Sequence, residues 1–182
     1  MIDAGEYETP DWFGIPLNMT LAEGWRAVND EDALLFMLGK GRNIYNDPIQ
    51  GLIFIAIPGG NPQAVITSIS RESGLTQEGE ITETTIAGFP GLQVDLIAKP
   101  NPGYEGDKES EILPGSQFLP SVGQYFAPGF IWTTWTAESK LRFIVLNVEE
   151  YVLLIEIDSP PAEFEAFADD AILAVQTLRL IR

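Results

Sequence analysis

The chain has 182 residues, and 27 Asp and Glu against 10 Lys and Arg give it a formal charge of −17. It contains no cysteine and no histidine, which excludes disulfides, thiol nucleophiles, Cys-ligated zinc, Ser-His-Asp or Cys-His triads and His-based metal or haem sites. The negative field and the scatter of basic residues from Arg26 to Arg182 leave no patch for nucleic acid or an anionic membrane.

Residues 1–12 are acidic and aperiodic and are expected to form a lead-in tail. Residues 14–28 predict two short strands around the turn Ala22-Glu23-Gly24. An apolar run of strand length follows at 33–38, then a polar loop at 39–47. Residues 51–57, Gly-Leu-Ile-Phe-Ile-Ala-Ile, are apolar without alternation, which predicts a central strand covered on both faces. Pro58-Gly59-Gly60 ends it. Asn61 and Pro62 then supply an N-cap and a first-turn proline for a helix that presents Ala64, Val65, Ser68 and Ile69 on one face and stops at Ser73-Gly74. Residues 81–87 and 92–98 predict a hairpin with a four-residue connection. Residues 99–129 hold no clean period and are long for a loop inside a compact domain. Segments 131–137, 141–148 and 151–158 predict a three-strand meander with turns at Glu138-Ser139-Lys140 and Glu149-Glu150. Last, Phe164, Phe167, Ala168, Ala171, Ile172, Val175 and Leu178 recur at helical spacing behind the break Ser159-Pro160-Pro161.

The sum is α+β: an antiparallel sheet of about 6–8 strands with helices packed on it. One domain is expected over residues 13–182, with 99–129 as a long inserted loop. No apolar run approaches the ~18 residues of a membrane-spanning helix. The start lacks the basic and apolar regions of a signal peptide, which fits either a cytosolic protein or the mature fragment of an exported one.

Three pieces carry a family resemblance. They are the opening Leu21-Ala22-Glu23-Gly24-Trp25, a P-x-G-W type turn with Ala22 in the proline position, and the hairpin sequence 85–94 after the first helix. The third is the closing meander, Ser-Pro-Pro break and amphipathic helix ending at Thr177-Leu178-Arg179-Leu180. Together they resemble the Mog1/PsbP-like α/β/α sandwich group, including its bacterial exported and lipoprotein members. The resemblance implies a non-enzymatic accessory or binding domain, outside the cytoplasm, that recognises a protein or cell-envelope component. It implies no cofactor and leaves the oligomeric state open.

Two candidate sites fall on the long loop and the strand after it. Glu105, Asp107, Glu109 and Glu111 alternate, so an extended backbone would aim four carboxylates one way, as a hard cation such as Ca²⁺ requires. Lys108 interrupts the run, no EF-hand pattern is present, and a solvated loop has the same composition. Tyr104, Tyr125, Phe126, Trp132 and Trp135 are rings of the kind that clamp sugars or peptides, or that fasten a loop to a sheet. The competing reading uses this 99–135 segment as a carboxylate-based hydrolase or a calcium-dependent carbohydrate binder. The acid pairs Glu149-Glu150 and Asp169-Asp170 are expected in solvent, and no serine has a partner base, so no catalytic residue is assigned.

Overall fold

The computed structural model describes residues 3–9, 11–30, 35–40, 50–72, 74–98, 113–114, 134–135 and 139–181. In chain order the elements are β1 (Gly5–Glu8), a 3-10 turn (Asp11–Phe13), β2 (Leu17–Leu21), β3 (Trp25–Asp30), β4 (Leu35–Lys40) and β5 (Gln50–Pro58). After these come α1 (Pro62–Ser70), β6 (Leu75–Ile86), β7 (Phe89–Ala98), β8 (Leu113–Pro114) and β9 (Thr134–Trp135). The chain closes with β10 (Lys140–Val148), β11 (Tyr151–Ser159), α2 (Phe164–Val175) and β12 (Arg179–Leu180).

Seven strands pair antiparallel in the order β3-β4-β5-β11-β10-β7-β6. The apolar run of β5 is buried from Gly51 to Ile57, as a strand covered on both faces requires. Its neighbour β11 is likewise buried from Val152 to Ser159 and takes the middle of the order. The alternating pleat divides the core in two. Ile144, Leu146, Leu153, Ile155 and Ile157 face α2, with Phe164, Phe167 and Val175 packed on them. Val94, Leu96, Leu141, Phe143, Val145 and Leu154 face α1, with Ile66 and Ile69. Helix on sheet on helix is the expected α/β/α sandwich.

A second sheet, β1-β2-β12, lies on the α2 side, where Leu17, Met19 and Leu21 join the core. Its first strand falls in the stretch read as an aperiodic lead-in, and the pairing Gly5↔Leu21 to Glu8↔Asn18 draws it into the fold. Four residues with little apolar content give no periodicity to read, and the partner strand supplies the order.

Other expectations shift in detail. Helix α1 buries Ile66 and Ile69, while Ala64 is exposed and Val65 half-buried. The expected cap is present, with Ala64 N–H donating to Asn61 Oδ1 at 3.1 Å. The hairpin connection is two residues, not four. Ala87 and Gly88 sit at φ 54° and 85°, the pair of left-handed residues that a type I′ turn needs, and both strands run further than their alternation suggests. Among the described residues the meander has two strands. Thr134–Trp135 pairs with Leu113–Pro114, and the second neighbour of β10 is β7.

Ion pairs fasten α2 to the sheet edge-on. Lys40 reaches Asp170 at 2.6 Å while lying over the Trp25 ring, and Lys140 bridges Glu165 at 2.9 Å and Glu78 at 3.2 Å. Arg142 makes a two-pronged pair with Asp95 at 2.7 and 2.8 Å, and its guanidinium lies 5.6 Å from the centre of the Phe164 ring. No described helix is long and apolar enough to cross a membrane, a statement that does not extend to strands.

Candidate functional site

The two ends of the large sheet carry different chemistry. At one end β5 begins, β11 finishes, and β7 and β10 are tied by Ala98 N–H donating to Ser139 O at 2.9 Å. The segment 99–138 therefore joins the sheet here. Glu156 and Asp158, two positions apart on β11, share the α1 face and are 0% and 2% exposed. Asp158 stands between Leu141 of β10 and Gly51 of β5. Its carboxylate lies so close over Gly51 that a Cβ there would overlap Oδ2, so the strand needs glycine at this point. Burial pushes the Asp158 acid up to about 7, partly offset by a hydrogen bond from the Gly51 backbone N–H. Oδ2 of Asp158 has no hydrogen-bond partner among the described residues.

The other end is open. There the strand stop Gly60, the cap Asn61 and Pro62 form a wall at the start of α1. Glu83, Thr84 and Thr85 of β6, Pro90, Gly91 and Leu92 of β7, and Asn147 of β10 form the floor of a cleft of about 730 Å³. That volume lies within the roughly 300–1,000 Å³ typical of small-ligand sites. Glu83 is the one charged side chain among its described lining residues. Asn61 Oδ1 is occupied by the cap, accepting from Ala64 N–H. The β10–β11 turn stands at this end, with Glu149 and Glu150 exposed and the Glu150 carbonyl accepting from Gly59 N–H at 2.9 Å. The arrangement can hydrogen-bond and hold a cation. It offers no nucleophile with a partnering base among its described residues.

Tyr104, Glu105, Asp107, Glu109, Glu111, Tyr125, Phe126 and Trp132 lie outside the described residues, and of Trp135 only the backbone, in β9, is described. Among the described residues no three acidic, His or Cys side chains are grouped to hold a metal ion. Asp169 and Asp170 are exposed on α2, as expected of a polar helix face, with Asp170 bound to Lys40. The sequence reading missed Glu156 and Asp158. Their signal is an acid at alternate positions inside an otherwise apolar strand, which aims both at the same core face. It also missed the cleft, whose lining comes from four separate stretches of chain.

No protein-family model matches the chain, and no curated protein matches it in sequence. In structure the chain is similar to LpqN of Mycobacterium tuberculosis, a protein involved in cell envelope biogenesis, with TM-score 0.60 and 11% identity over 100% of this chain and 93% of that one. It is also similar to PA94 of Pseudomonas aeruginosa, a protein of unknown function and suggested regulator, with TM-score 0.50 and 12% identity over 100% and 99% of the two chains. The superposition on cyanobacterial PsbP of Synechocystis is looser, at TM-score 0.49 and 8% identity over 100% and 95%. At such identities the likeness is one of fold, an α/β/α sandwich.

Proposed function

We propose that this chain is a non-enzymatic accessory or binding domain of an exported protein, and that it recognises a protein or cell-envelope component. The observation that carries the reading is the fold shared along the whole chain with LpqN, a protein tied to cell envelope biogenesis. A polar cleft of ligand size without nucleophile or metal-ligand cluster among its described residues supports it, as does a sequence with neither His nor Cys. The inserted stretch 99–129, with its rings and alternating acids, is the second candidate for partner recognition.

The test is cell fractionation with proximity labelling in the source cells, using the full chain and a form lacking residues 101–129. The full chain is expected outside the cytoplasm with a reproducible labelled set, and the shortened form is expected to lose part of that set. Cytoplasmic retention, or an identical set for both forms, overturns the respective half of the proposal.

The buried Glu156–Asp158 pair is the observation that favours a carboxylate-based hydrolase or a calcium-dependent carbohydrate binder. An acid held protonated near neutrality is what general-acid catalysis uses. Both side chains are closed off within the sheet and neither lines the cleft, so the binding reading stands ahead. Thermal unfolding with Ca²⁺ and with EDTA separates the two. The binding reading expects the same midpoint in both, whereas a calcium-dependent gain that EDTA reverses brings the carbohydrate binder forward.

A further inference from the structure

We propose that the cleft between the start of α1 and the β6–β7 hairpin is a binding site for an extended polypeptide segment bearing lysine or arginine. The inference deepens the binding-domain reading and rests on it. Three features of the cleft select this occupant.

The first is charge. Glu83 stands in the cleft with no cation among the described lining residues to neutralise it, and Glu149 and Glu150 are exposed at the same end of the sheet. Lys40, Lys140 and Arg142, three of the chain's ten basic residues, are engaged by Asp170, by Glu78 with Glu165, and by Asp95. The chain as a whole carries −17, so anionic and phosphorylated ligands are repelled on approach and cationic ones are drawn in.

The second is hydrogen bonding. Asn147 lines the cleft with an amide, the group that matches both the N–H and the C=O of a peptide bond, and Asn61, its oxygen taken by the cap, lines it beside Gly60. Thr85, on the same face of β6 as Glu83, adds a hydroxyl. The third is the apolar part of the lining. Leu92, Pro62 and Pro90 present aliphatic surface without an aromatic ring. Such a surface covers the methylene stem of Lys or Arg while the charged head reaches Glu83, and among the described lining residues there is no ring platform on which a sugar stacks.

The probe is an acetylated, amidated hexapeptide of alternating Lys and Val, titrated into the full ¹⁵N-labelled chain. The control peptide carries norleucine in place of Lys. Saturable shifts are expected at residues 60–62, 83–85, 91–92 and 147, with the norleucine peptide at least about fivefold weaker. Glu83→Gln is expected to weaken binding about two- to fivefold, the range of an exposed ion pair. Asn147→Trp, which fills the cleft from an exposed position, is expected to weaken it more than about tenfold. Thermal melts of both variants establish that they are folded. Shifts spread over the acidic surface without saturation, equal binding of the two peptides, or unchanged affinity of Asn147→Trp each overturn the site. Failure here leaves the fractionation result of the broader proposal untouched, since that result depends on location and on residues 101–129.

Discussion

Replacing Asp158 with Asn removes a buried ionisable group while keeping its size and the oxygen that accepts from Gly51 N–H. In the folded chain burial raises the acid from 3.8 to about 7, so the folded state holds its proton more tightly than the unfolded state does. The stability that goes with the bound proton is complete below pH 3.8 and is lost as pH rises through about 7. Between pH 5 and pH 8 the wild type should therefore lose on the order of 3 kcal/mol that Asp158→Asn does not lose, at ~1.36 kcal/mol per pH unit. At roughly 2–4 °C per kcal/mol for a chain of this size, the two melting temperatures should diverge by about 6–12 °C across that range. The assay is thermal unfolding followed by circular dichroism at half-unit pH steps. Every other titrating group is common to both proteins, so the difference curve reports the change at position 158 together with its effect on the buried Glu156 beside it. Parallel curves, or an Asp158→Asn variant that is less stable than the wild type at pH 8, would refute the reasoning.

Gly51→Ala places a methyl against Asp158 Oδ2 and should cost about 1–3 kcal/mol. In an Asp158→Ala background that cost should shrink, a coupling measurable by a double-mutant cycle in urea. Asp95→Ala leaves the half-buried Arg142 without its two-pronged partner and should lower stability by about 1–3 kcal/mol, with unfolding accelerated in stopped-flow traces. Asn61→Ala removes the cap of α1 and should cost about 0.5–2 kcal/mol, whereas Asn61→Ser should retain most of it.

The sequence by itself determined the elements whose neighbours matter least. The β-branched run of β5 requires burial on two faces wherever its partners lie, and the 3.6-residue period of α2 names its buried side without reference to the sheet. Asn61-Pro62 starts α1 through bonds that never leave the helix. The α+β class and the resemblance to the Mog1/PsbP-like sandwich follow from such local signals taken in order.

Tertiary structure decided the rest, because the deciding contacts join residues far apart in sequence. Strand β1 exists through pairing with β2, and Thr134–Trp135 pairs with Leu113–Pro114 where alternation alone suggests a third strand of the meander. Glu156 and Asp158 look like ordinary strand acids until β11 is placed at the middle of seven strands, where both faces are covered and burial raises the Asp158 acid. The cleft shows the same limit. Asn61, Glu83 and Asn147 carry no common motif, and only the crossing of α1 over β7 and β10 brings one acid and two amides to the same open end of the sheet.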